Sequence, residues 1–182
     1  MSEETLSPQE LAREGEAAFR EGDYPTASER FAAAERAYRA QGDDLMAAEM
    51  ANNRSVALLQ AGDAQGAYDA VRDTVDLFAR HDDRRREALA LGNRAAALAA
   101  LGELQAAEKD YQASEALLNQ LDEPELLAAV RQQLAQLHLR MGRPADAIID
   151  TSIALENRPL TFREKVLRWL LKVVYRLLGR PL

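Results

Sequence analysis

A glycine followed by a polar or charged residue recurs at Gly22-Asp23, Gly62-Asp63, Gly102-Glu103 and Gly142-Arg143, 40 residues apart each time. A spacing held that constantly marks a chain that uses one structural unit four times. Five residues after each glycine stands an alanine: Ala27, Ala67, Ala107 and Ala147. Four residues further come Phe31, Val71, Tyr111 and Thr151, then the small Ala34, Thr74, Ser114 and Ala154. Small and large side chains thus alternate down one helical face, and a small residue at a crossing point lets two helices approach closely. A unit this short cannot bury its own apolar face, so neighbouring units must stack to share one core.

The residue usage agrees. Ala, Leu, Glu, Arg and Gln dominate and aromatics make up 5% of the 182 residues, which predicts helix almost everywhere. Ser7-Pro8-Gln9-Glu10 combines a capping serine, a proline at the first helical position and a glutamate three after the serine, so the first helix starts near residue 8. Gly22, Gly42, Gly62, Gly102 and Gly142 punctuate helix ends that need a left-handed residue, while Asp122-Glu123-Pro124 and Pro144 open later helices. Eight repeat helices are predicted over 8–21, 24–41, 43–61, 64–80, 83–101, 104–120, 123–141 and 144–156. Periodicity selects as core Leu11, Phe19, Phe31, Leu58, Leu59, Val71, Val75, Leu98, Leu101, Tyr111, Leu118, Leu134, Leu139, Ile148 and Leu155.

The segment REGDYPTASERFAAAERAY resembles the second half of a tetratricopeptide repeat, with Gly15, Gly22, Tyr24, Ala27, Phe31 and Ala34 in the family's order. Later units replace the early glycine with Ser55, Ala95 and Ala135, and the turn tyrosine with Ala64, Leu104 and Pro144. The 40-residue period resembles the long-repeat branch of the family, and the likeness covers residues 8–156. The resemblance implies an all-α superhelical solenoid of four antiparallel helix pairs over residues 1–158, followed by an amphipathic helix over 159–182. It also implies binding of other proteins, since the family shares no chemistry.

In such a solenoid the first helix of each pair lines a concave groove. Transferring the register puts Glu16, Arg20, Glu49, Asn52, Asn53, Val56, Gln60, Asn93, Ala96, Ala100, Gln132, Gln133, Gln136 and Arg140 on or near it. Asn53, Asn93 and Gln133 share one repeat position, and an amide can both donate to and accept from a peptide backbone. A ladder of amides holding an extended segment is one reading; a solvated helix face is the other. Gly92, Ala96, Ala99 and Ala100 are small and leave room for a bulky side chain or a partner helix. Some tetratricopeptide adaptors grip a C-terminal carboxylate with lysine, asparagine and arginine. Here those positions hold Ala12, Glu16 and Asn93, and only Asn53 matches, which disfavours that mode.

Catalysis finds little support. His81 and His138 lack a metal-ligand partner four residues on, and no phosphate loop, nucleophile elbow or ligand cluster appears. No cofactor is expected. Without cysteine there are no disulfides or thiolate metal sites, so a reducing cytoplasm is the expected location; the polar, acidic opening MSEETLSPQE is neither a secretion signal nor a transit peptide. The run Asp82-Asp83-Arg84-Arg85-Arg86 reads as a helix start, its acids favoured by the helix dipole and its arginines facing water.

Residues 1–158 hold 29 acids and 17 bases, a net charge of −12, whereas 159–182 hold one acid and six bases, a net of +5. An acidic body argues against nucleic acid as a partner. In the tail, Thr161–Glu164 reads as a second capping box. Glu164, Lys165, Arg168, Lys172 and Arg176 share a polar arc of roughly 120°, opposite an apolar arc of roughly 200° built around Val166, Trp169, Leu170, Val173 and Leu177. Phe162, Lys165, Arg168, Trp169, Leu170, Lys172, Val173, Arg176 and Leu177 are therefore the candidate tail surface. It could cap the fourth pair, insert into an anionic membrane surface at the inner face, self-associate or meet a partner helix, or dock into the chain's own groove. A stretch of roughly 13 apolar residues is too short to span a bilayer.

Overall fold

The computed structural model describes residues 6–154 together with Lys165, Val166, Trp169 and Leu170. These residues are helical with no strand among them. The helices are α1 (Pro8–Glu21), α2 (Tyr24–Ala40), α3 (Asp44–Gln60), α4 (Ala64–Val71), α5 (Thr74–Arg80), α6 (Arg84–Leu101), α7 (Leu104–Gln120), α8 (Pro124–Arg140) and α9 (Pro144–Ala154). Two units divide the chain, residues 1–110 and 111–182, with the boundary inside α7. In the first, α1 packs on α2, α2 on α3 and α3 on α4, while α6 packs against α3, α4 and α5; in the second, α8 packs on α9. The compositional boundary at residue 158, the capping box at Thr161–Glu164 and core candidate Leu155 lie outside the described residues.

The turns between the helices follow one regular pattern. A left-handed residue stands every 20 residues: Gly22, Gly42, Gly62, Asp82, Gly102, Asp122 and Gly142. Asp82 and Asp122, both at φ +55°, occupy positions that the glycine count alone passes over. At each turn the next amide reaches back five residues, from Asp23 to Ala18 O (2.9 Å), Asp43 to Tyr38 O (3.0 Å), Asp63 to Leu58 O (2.9 Å) and onward to Arg143 and His138 O (2.8 Å). This Schellman closure satisfies carbonyls that a helix end leaves open. At four of these turns the same next residue then caps the following helix. Asp23, Asp43, Asp63 and Asp83 accept from Thr26 N, Met46 N, Gly66 N and Arg86 N at 3.2, 3.0, 2.8 and 3.1 Å. Ser7 and Glu10 form the reciprocal capping box expected of them, Ser7 N donating to Glu10 Oε2 at 2.8 Å and Glu10 N to Ser7 Oγ at 3.2 Å.

The repeated alanines are buried, with Ala27, Ala67 and Ala107 at 0% exposure and Ala147 at 3%. Buried large residues follow at Phe31, Val71 and Tyr111. A further buried set, Tyr38, Phe78 and Leu118, repeats at the same 40-residue interval; of these, periodicity picked out Leu118 alone. Three expectations need correction. The helix predicted over 64–80 is divided into α4 and α5 at Arg72-Asp73. There the Val71 carbonyl accepts from the Thr74 hydroxyl (2.8 Å) and the Arg72 carbonyl from Arg94 Nη1 (3.3 Å). In an unbroken helix those carbonyls would take the amides of Val75 and Asp76. Leu101, the last residue of α6, and Leu139 are exposed rather than core. Leu137 and His138 fill the buried arc near the end of α8, and a further step of about 100° turns Leu139 to water.

Candidate functional site

Within the first unit, α1, α3 and α6 border two adjoining pockets. The first has a volume of about 310 Å³ and lies between α1 and α3, lined by Glu16, Phe19, Arg20, Phe31, Asn53 and Val56. Phe19, Phe31 and Val56 make its apolar wall, and Phe19 is steadied by an edge-on contact with the Tyr24 ring at 5.3 Å. Gly15 is buried next to the Phe31 ring: a β-carbon there would come within 2.8 Å of it, so its absence lets the Phe31 ring lie against α1. The second pocket, about 340 Å³, lies between α3 and the α5–α6 region. Glu49, Asn52, Asn53, Phe78, Asp83, Arg85, Arg86 and Leu89 line it. Asn53 borders both.

The second pocket is charged and internally paired. Arg86 joins Glu49 Oε2 on α3 (2.6 Å) and Asp83 Oδ2 at the start of its own helix (2.8 Å). It is half-buried, so the expectation that this arginine faces water fails; two carboxylates draw it inward. Burial opposes the Arg86 charge, but the hydrogen bonds and attraction of Asp83 and Glu49 outweigh burial and hold its pKa above the ordinary value. Burial likewise works against Asp83 ionising. The backbone and side-chain hydrogen bonds from Arg86 prevail, leaving that carboxyl below its usual range.

The sequence-predicted groove residues are distributed as follows. Glu16, Arg20, Asn53 and Val56 share the first pocket, and Glu49, Asn52 and Asn53 the second. Asn93 donates its Nδ2 to Asn52 Oδ1 at 3.0 Å, so its amide joins α6 to α3. Of the expected ladder Asn53, Asn93 and Gln133, Asn93 thus gives one amide hydrogen bond to Asn52. Ala96 is half-buried, Ala99 is buried, and Gln60 and Ala100 are exposed. Gln132, Gln133, Gln136 and Arg140 are exposed on α8 in the second unit.

Asp83, Arg85, Arg86 and Leu89 were not among the groove candidates. One signal was available: Arg86 stands one 40-residue period after Met46 on the neighbouring first helix, and its Nη2 lies 3.9 Å from the Met46 sulfur. Reading residues 82–86 as a charge run hid that register.

In the second unit His138 is buried and its Nδ1 lies 2.6 Å from Asp150 Oδ2. Burial raises the Asp150 pKa, with the His138 contact partly opposing it. His81 is exposed at the end of α5. Among the described residues no group of three or more His, Asp or Glu could hold a metal ion, and no helix is long and apolar enough to cross a membrane. Of the tail candidates, Lys165, Trp169 and Leu170 are helical and exposed; Phe162, Arg168, Lys172, Val173, Arg176 and Leu177 lie outside the described residues. No protein-family model matches the chain, and no curated protein matches it as a relative.

Proposed function

We propose that the chain is a tetratricopeptide-like solenoid of four antiparallel helix pairs that acts as an adaptor, not an enzyme, and receives a peptide or helix of another protein along α1, α3 and α6. The observation that carries this reading is the pair of adjoining pockets that meet at Asn53. An apolar wall of Phe19, Phe31 and Val56 suits one bulky side chain of a bound segment. Asn53 at the junction supplies an amide able to bond a peptide backbone, and Glu16 and Arg20 offer both signs of charge at the rim. Few anchors in a concave site are the usual pattern of peptide recognition.

The test is selection of binders from a displayed random-peptide library, followed by titration against variants. Val56→Arg should weaken selected peptides by about tenfold or more, equivalent to at least about 1.4 kcal/mol. Asn53→Ala should weaken them less, and Glu29→Ala, exposed on α2 outside the pocket lining, should leave them unchanged. Melting temperatures near the parent's would separate lost binding from lost fold. Peptides indifferent to both pocket substitutions would refute the groove as the binding site.

A further inference from the structure

A second surface, independent of the pockets, stands in the tail. Val166, Trp169 and Leu170 are helical and expose 41%, 63% and 46% of their surface. Residues spaced i, i+3 and i+4 share one helical face, so three large apolar groups open to solvent together. Single exposed apolar residues are ordinary, but a contiguous set marks a surface that awaits a partner. Most of the Trp169 indole is in solvent.

Charge selects the occupant. Lys165 is exposed beside the apolar set, and residues 159–182 carry Arg163, Lys165, Arg168, Lys172, Arg176 and Arg180 against Glu164 alone. Two copies meeting through this face would bring two +5 segments together. An anionic bilayer surface meets both features at once, since its headgroups attract the bases and its acyl boundary accepts the apolar face.

We infer that the tail is a peripheral anchor for anionic membranes, entering the headgroup boundary with Val166, Trp169 and Leu170. The body, at −12 over residues 1–158, is repelled by the same surface, which confines lipid contact to the tail.

Trp169 is the chain's single tryptophan, so the full protein reports its own insertion by fluorescence. With phosphatidylserine–phosphatidylcholine vesicles at low salt its emission should shift to the blue and the protein should float with the vesicles. Phosphatidylcholine alone should bind far less. In about 1 M salt, where the screening length is about 3 Å, binding should fall sharply. Leu170→Glu and Lys165→Glu keep the reporter, and each should weaken anionic-vesicle binding by about tenfold without altering helicity. The anchor would be overturned by unchanged emission with anionic vesicles at low salt, or by equal binding to neutral ones. It would equally be overturned by a blue shift that follows protein concentration without lipid, which would make the occupant a second copy.

Discussion

Gly62 and Asp82 hold the same left-handed role one turn apart, at φ +88° and +55°, and exchanging the residues that stand there tests what the turns require. A β-carbon at Gly62 would meet nothing within 4 Å. The folded-state cost of Gly62→Ala is therefore backbone energy, about 1–2 kcal/mol, partly offset because alanine restricts the unfolded chain. Aspartate tolerates this conformation better because its short polar side chain bonds locally, so Gly62→Asp should cost less than Gly62→Ala. At position 82, glycine relieves the remaining strain but frees the unfolded chain, an opposing effect of about 0.4–1 kcal/mol. The Asp82–Arg84 pair adds little to the balance, since the two side chains are 84% and 53% exposed. The expected stability order at both positions is Gly, then Asp, then Ala, with Asp82→Gly at or slightly above the parent. The caps Asp63 and Asp83 are untouched by every variant. Urea titrations followed by circular dichroism would read the differences as midpoint shifts at constant slope. Gly62→Ala within about 0.5 kcal/mol of the parent, the range of an ordinary surface change, would refute the conformational argument. So would Asp82→Ala melting with the parent.

Ala107→Phe should cost about 1–3 kcal/mol by overpacking a position that is 0% exposed; a parental urea midpoint would show that the repeat register is misread. Burial raises the Tyr111 hydroxyl from 10.0 to about 12. Its folded pKa lies above its unfolded one, so the stability it adds, on the order of 3 kcal/mol, is whole below pH 10 and lost as pH climbs through about 12. Tyr111→Phe should remove one tyrosine from the late-ionising class in an ultraviolet titration; an undiminished late class would contradict burial. Asp83 carries the opposite sign: lowered from 3.8 chiefly by hydrogen bonds from Arg86 that overcome burial, it stabilises the fold above about pH 3.8 and ceases to do so as pH falls through the depressed value. Asp83→Asn should therefore be less stable than the parent at neutral pH and converge with it in strong acid, as thermal melts across pH would show.

Helix positions were legible because a left-handed residue marks every turn and, at four of the turns, the next residue caps the following helix. Ser7 caps as its capping box predicts, and Asp23, Asp43, Asp63 and Asp83, which were not singled out in the sequence as side-chain caps, cap as well. Asp82 and Asp122 escaped because aspartate is read first as a cap and only second as a left-handed residue, although both stand at the 20-residue interval of the glycines. The division of α4 from α5 left only a weak local mark, the poor helix formers Asp73-Thr74-Val75, whose Thr74 hydroxyl bonds the Val71 carbonyl. The other contact at the break, Arg94 to the Arg72 carbonyl, comes from α6, a residue 22 positions away. Tertiary contacts of that kind override local preference without leaving a local mark.

The candidate site was legible to the extent that it follows backbone register, and illegible where it depends on which side chain fills a register position. Glu14 pairs with Arg30 at 3.2 Å, and the positions 80 residues later, Arg94 and Asp110, pair with the signs reversed, at 2.6 and 2.9 Å. Attraction is indifferent to which helix carries the cation, so a repeat can keep the bridge while exchanging both residues. The two bridges nevertheless differ in strength: the first pair is 45% exposed on each side, whereas Arg94 and Asp110 are half-buried and joined by two hydrogen bonds, the geometry that makes arginine–carboxylate pairs strong. The same freedom acts at position 46, where methionine in one unit becomes Arg86 in the next. That one exchange supplies the cation that joins Glu49 and Asp83 and turns the second pocket polar. The small residues and turns are held by packing and backbone geometry and so repeat visibly. The pocket-facing positions are free of both constraints, and each unit uses that freedom to give its stretch of the surface a different chemistry.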